Sequence, residues 1–134
     1  MRSSKKVIII EDDPDINNLI AYNLRKEGFN AKQVFDGTVA DKKLREEYFD
    51  IVILDIMLPG MDGFDICRSL KDNPLGGKNF IIMVSAKCRE EDKLYAHILG
   101  ADAYLTKPFS VVTLMDIVKE VDRMQNKEFV VTHK

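Results

Sequence analysis

Five short apolar runs recur along the chain at nearly even spacing: "VIII" at 7–10, "AKQV" at 31–34, "IVIL" at 51–54, "IIMV" at 81–84 and "AYL" at 103–105. Each has the length of a strand, and the stretches between them change period, with apolar positions returning every three or four residues as on one face of a helix. Residues 14–27 carry Ile16, Leu19, Ile20 and Leu24 on one stripe, with Asp13 placed to cap, Pro14 in the first turn and Gly28 just past the end. Residues 110–125 repeat the pattern with Leu114, Ile117, Val118 and Val121, and Ser110 as the cap. Shorter helices are predicted at 38–48 from Ala40, Leu44 and Tyr48, at 62–71 from Ile66, Cys67 and Leu70, and at 89–99 from Leu94, Ile98 and Leu99. Strands that are apolar almost throughout are buried on both faces, so the alternation predicts an α/β fold: a doubly wound five-stranded parallel sheet with helices on both faces. Ligands of such sheets bind beyond the carboxyl ends of the strands, where the strand order reverses.

At 134 residues, 46% hydrophobic and 31% charged, the chain suits one domain with a real core. Residues 6–125 hold the whole strand and helix pattern, leaving 1–5 as an N-terminal tail and 126–134 as a C-terminal tail or the start of a linker. A net charge of −2 gives no clustered basic face, which argues against direct nucleic-acid binding. The two cysteines, Cys67 and Cys88, lie far apart with no metal-ligand spacing, and His97 and His133 have no companion ligands; this usage fits a reducing cytoplasm, with Cys88 read as an inert thiol. "MRSSKKVIIIEDD" has too few apolar residues for a signal-peptide core, and no run approaches the ~20 needed to span a bilayer, so no membrane association is expected.

Chemistry gathers at the strand ends. Glu11, Asp12 and Asp13 follow the first strand and Asp55 follows the third, so a parallel sheet brings two sets of carboxylates to one crevice. Asp13 is accounted for as a helix cap; Glu11 and Asp12 are not. Carboxylates a few ångströms apart do not all stay ionised cheaply without a cation, and oxygen-only ligands with room for water favour Mg2+. Ser85 closes the fourth strand and Lys107 the fifth, adding a hydroxyl and a point charge suited to an anion. A carboxylate, a hard cation, a hydroxyl and a lysine are the requirements of phosphoryl transfer, with Asp55 the candidate nucleophile. Taken singly, a strand-end Asp is a turn former and a Lys before Pro is solvated; their joint placement at four strand ends is what those roles do not produce.

The motifs "VIIIEDDP", "IVILDIMLPGMDGFDICRSLK", "IIMVSA" and "GADAYLTKPF", in this order and spacing, resemble the receiver domains of two-component response regulators, close in size to the chemotaxis single-domain regulator. The resemblance covers residues 6–125 and implies a flavodoxin-like sheet of strand order 2-1-3-4-5. It implies that Asp55 is phosphorylated, that Lys107 pairs with the phosphoryl group, and that Ser85 and Tyr104 form the switch. It further implies that magnesium is held by Asp12, Asp55 and the backbone carbonyl of Met57, with Glu11 acting largely through water. Lys107-Pro108 stands at the family's cis peptide, and Met57 and Lys87 at positions that tune the lifetime of the phosphoryl group. The implied partners are a sensor histidine kinase or histidine phosphotransfer protein as donor and an unidentified downstream effector, with the domain a monomer or weak dimer. Such a domain is a switch that assists its own phosphorylation and dephosphorylation rather than a metabolic enzyme, and it changes the surface formed by the fourth helix, fifth strand and fifth helix.

Two other classes share parts of the pattern. A haloacid-dehalogenase-like hydrolase also uses a strand-end Asp, but expects a second acid two residues on, where this chain has Met57. A passive module, either a degenerate receiver or a flavin-binding relative, is disfavoured by the intact Asp55, Lys107, Ser85 and Tyr104 set and by the lack of a phosphate-binding loop after the first strand.

Overall fold

A computed structural model describes residues 5–73, 75, 78–87 and 89–132; Cys88 and His133 lie outside them. Strands β1 (Lys6–Ile10), β2 (Asn30–Val34), β3 (Ile51–Leu54), β4 (Phe80–Ser85) and β5 (Ala103–Thr106) alternate with helices α1 (Pro14–Lys26), α2 (Gly37–Glu46), α3 (Gly63–Asp72), α4 (Glu90–Ile98) and α5 (Val111–Thr132). All four strand pairings are parallel and the sheet order is β2-β1-β3-β4-β5, the doubly wound flavodoxin-like order.

Side-chain alternation along the strands divides the core in two. Ile8, Ile10, Val52, Leu54 and Met83 point to one face and pack under Ala40 and Leu44 of α2, Ile66, Cys67 and Leu70 of α3, and Ala96 of α4. Val7, Ile9, Ile51, Ile53 and Ile82 point to the other and meet Ile20, Ala21 and Leu24 of α1 and Leu114, Met115, Val118 and Val121 of α5. Each fully buried Ile or Leu contributes about 1.5–3 kcal/mol relative to exposure, so these central strands dominate the stability.

Aspartates start three of the helices. Asp13 accepts from the amides of Asp15 and Ile16, Asp36 from those of Thr38 and Val39, and Asp62 from that of Asp65. Each therefore begins its helix within a residue or two of the preceding strand-end loop, which holds those loops at the carboxyl edge of the sheet.

The buried helical faces differ from the predicted stripes in two places. On α1 the buried set is Asn17, Ile20, Ala21 and Leu24, while Leu19 is exposed. On α4, Leu94 and Ile98 are 60% and 59% exposed and the buried residues are Asp92 and Ala96. The helix lies where the pattern places it, rotated so that two large apolar side chains face outward. Helix α5 runs from Val111 to Thr132. No described helix is long and apolar enough to cross a membrane.

Candidate functional site

Strand register brings the acids together. Ile10 of β1 pairs with Leu54 of β3, and the Asp55 amide donates to the Ile10 carbonyl at 3.0 Å, so the residues that follow, Glu11 and Asp55, stand side by side. One carboxylate oxygen from each of Glu11, Asp12 and Asp55 lies within 4.8 Å of the others. Lys107, the first residue after β5, reaches across the strand ends: its Nζ is 2.6 Å from Glu11 Oε1 and 2.8 Å from Asp55 Oδ2. The peptide between Lys107 and Pro108 is cis, as the resemblance implies.

Glu11 and Asp55 are buried and Asp12 is exposed. The second Glu11 oxygen accepts from the Asp13 amide at 3.0 Å, and Asp55 Oδ1 accepts from the Met57 amide at 3.1 Å. Among the described residues the Asp12 carboxylate has no hydrogen-bond or ion-pair partner. Burial pushes the Glu11 carboxyl above the ordinary glutamate value, against Lys107 and the Asp13 amide, and the charge of Asp55 adds to the rise. Burial works to lower the Lys107 amine, but its hydrogen bonds to Asp55 and Glu11 outweigh this and hold it above the usual lysine value. One ammonium thus serves two buried carboxylates with a third beside them, and the pocket has more negative charge than it compensates. Replacing Asp12 by Asn is accordingly expected to raise the melting temperature in metal-free buffer by about 2–4 °C, read by calorimetry; a fall would contradict the repulsion.

The other sequence-derived residues lie around this pocket. Ser85 ends β4 fully buried, and its hydroxyl accepts from the Lys87 amide at 3.4 Å; among the described residues no hydrogen bond joins it to Asp55. The Tyr104 hydroxyl donates to the Lys87 carbonyl at 2.7 Å, so Ser85 and Tyr104 both engage the loop after β4. Met57 is 58% exposed, and with Asp12, Ile56, Leu58, Pro59, Asp62, Phe64 and Lys87 it lines a 550 Å³ opening that reaches the acids at Asp12. Met61 and Phe64 pack on the core edge, Phe64 with its ring edge-on to Tyr95. His97 is exposed and belongs to no candidate metal-ligand cluster among the described residues. Cys67 is buried, and desolvation pushes its thiol up to about 12, which makes it unreactive.

Two residues that shape the site carry no signal in the apolar pattern. Gly63, the first residue of α3, donates to the Ile56 carbonyl at 2.8 Å, and a Cβ there would lie 2.4 Å from the Asp55 carbonyl oxygen; only a hydrogen lets the helix start this close to the acid. Asn17 is fully buried on α1 and its side-chain amide donates to the carbonyls of Glu11 at 2.9 Å and Val34 at 3.0 Å. A polar residue on a buried stripe was the available clue.

An oxygen-only donor set with one partnerless carboxylate at the solvent side has the chemistry of a hard-cation site. The response regulator receiver domain family matches residues 7–119. Among solved structures, the chain is similar to the receiver domain of Francisella response regulator 1452, at 28% identity and TM-score 0.84 over 91% of this chain and 99% of that one. It is similar to the BeF3-activated receiver domain of DrrB, an OmpR/PhoB homolog of Thermotoga maritima, at 30% identity and TM-score 0.80 over 90% and 99%. A third is the receiver domain of sensor histidine kinase PA1611 from Pseudomonas aeruginosa, which has magnesium coordinated in its active site cleft, at 26% identity and TM-score 0.79 over 88% and 97%. The matched span runs from β1 into α5 and takes in every strand end that lines the crevice, and on that ground the chain belongs to the response regulator receiver domain family of two-component systems.

Proposed function

We propose that this domain is a phosphoacceptor switch: Asp55 takes a phosphoryl group from a phosphohistidine donor in a magnesium-dependent step, and the modification alters the surface of α4, β5 and α5. The observation that carries this reading is the Lys107 ammonium held between Glu11 and Asp55, with Asp12 open beside them. Asp12, Asp55 and the backbone carbonyl of Met57 are the residues that hold magnesium, with Glu11 acting through water. Bound there, the ion neutralises charge on the phosphoryl oxygens. An Asp55 oxygen attacks phosphorus, an O–P bond forms as the donor's P–N bond breaks, and the electron pair departs with an imidazole that leaves neutral because its other nitrogen carries the proton. Lys107, already paired with Asp55, turns to the new anion without crossing the site.

The phosphoryl group then draws the Ser85 hydroxyl away from its long bond to the Lys87 amide. Because Tyr104 holds the carbonyl of that same Lys87, movement of one loop residue alters both contacts. The outcome is a shift between two arrangements of the α4 side of the fold, where Leu94 and Ile98 stand exposed. The donor is a sensor histidine kinase or histidine phosphotransfer protein, the reader is a downstream effector, the domain works as a monomer or weak dimer, and the setting is the cytoplasm.

Thermal melting tests this reading. Magnesium at 100 times its dissociation constant is expected to stabilise the protein by about 2.7 kcal/mol, and beryllofluoride, a phosphoryl mimic, adds to the gain only with magnesium present. Asp12→Asn is expected to lose most of the magnesium response. A parent protein whose melting ignores magnesium and beryllofluoride contradicts the proposal.

A further inference from the structure

Asn17 is the one polar residue on the buried stripe of α1, whose other members, Ile20, Ala21 and Leu24, pack in the apolar core on that face of the sheet. It is 0% exposed, and its own oxygen Oδ1 is buried with no hydrogen-bond partner among the described residues. Burying an amide with an unmet acceptor is unfavourable, so stability alone is a poor reason for this residue. Its two donors are both used. One meets the Val34 carbonyl, which already accepts from the Glu11 amide at 3.1 Å, and the other meets the Glu11 carbonyl.

The Glu11 carbonyl belongs to the peptide group that joins Glu11 to Asp12. That group is planar, so holding its oxygen fixes the plane and with it the direction in which the chain and the Asp12 side chain leave β1. Glu11 is gripped elsewhere as well, at its amide by Val34 and at its two carboxylate oxygens by the Asp13 amide and Lys107. Among the described residues the Asp12 carboxylate has no such partner, and its aim depends on the backbone it hangs from. Asn17 is the side chain that holds that backbone.

From this geometry we infer that Asn17 is a positioning residue for the cation site: by clamping the Glu11–Asp12 peptide to the end of β2, it aims the exposed carboxylate of Asp12 at the space shared with Asp55. The inference rests on the cation site proposed above. It is independent of which partner donates or reads the phosphoryl group.

Two variants test it. Asn17→Leu has similar bulk and no donor, and Asn17→Ser keeps one donor on a shorter arm. Magnesium chloride is titrated into the parent and each variant by calorimetry, melting temperatures are recorded separately, and the Asp12 amide resonance is followed by NMR in metal-free protein. Magnesium affinity is expected to fall about tenfold in Asn17→Leu and less in Asn17→Ser, with the Asp12 amide resonance displaced in the same order. Equal affinities within twofold in parent and variants, whatever their melting temperatures, overturn the positioning role and leave the cation site standing. Absence of magnesium uptake by the parent overturns the cation site and this inference with it. Should Asn17→Leu fail to fold, the Asn17→Ser titration decides on the same criterion.

Discussion

Asp55→Asn is expected to abolish phosphoryl uptake from a small acyl-phosphate donor while leaving the fold intact. The amide nitrogen's lone pair is delocalised into the carbonyl, and the remaining oxygen carries no full charge, so neither atom attacks phosphorus. The fold tolerates the change because the substitution keeps the shape and one acceptor, giving up one of the hydrogen bonds from Met57 and Lys107, while it removes a charge from an over-negative pocket. Intact-mass measurement is expected to give a gain of one phosphoryl group for the parent and none for the variant, with matching circular dichroism. Labelling of the variant at the parental level would move the acceptor to Asp12, Glu11 or Ser85 and require a different mechanism.

Gly63→Ala is expected to be strongly damaging, because its added methyl group is aimed at the backbone of Asp55 itself. The added carbon would stand 2.4 Å from the Asp55 carbonyl oxygen, 2.7 Å from Ile56 Cα and 3.0 Å from the Asp55 carbonyl carbon, all backbone atoms of a buried strand end with no rotamer to yield. The first turn of α3 must move outward, stretching the bond from the Gly63 amide to the Ile56 carbonyl. Destabilisation of about 3 kcal/mol follows, a fall of about 10 °C in melting temperature for a domain of this size, together with weaker magnesium binding because Asp55 shifts with its backbone. A melting temperature within about 2 °C of the parent would show that α3 gives way freely, and that its contact with Asp55 is not what sets the acid's position.

Much of this was legible in the residues because the relevant physics is local. The apolar runs located all five strands, and the apolar spacing together with Asp13 and Pro14 located α1. Strand ends also gather Glu11, Asp12, Asp55, Ser85 and Lys107 at one edge of the sheet. What stayed hidden depends on pairing and rotation. The register that sets Ile10 against Leu54, and so puts Glu11 beside Asp55, is a property of two strands and not of either alone. Periodicity finds α4 but does not say that Asp92 and Ala96 turn inward while Leu94 and Ile98 face out, since a helix with an exposed apolar side reads the same as one that buries it. Asn17 escaped notice because a search for apolar spacing passes over polar residues, and Gly63 because "MDG" reads equally well as a turn. Their roles lie in contacts with Glu11 and Asp55, distant in sequence from neither but visible only in three dimensions.

The measurement that bears most directly on the central claim is localisation of the phosphoryl group in the parent protein. After reaction with an acyl-phosphate donor, with magnesium and in parallel with a chelator, the protein is digested in acid and its peptides are mapped by mass spectrometry. One phosphoryl group on Asp55, formed only with magnesium, is the expected result. Modification at another residue, or equal labelling of Asp55 in chelator, would contradict a cation pocket built from Glu11, Asp12 and Asp55 that arms Asp55 for phosphoryl transfer.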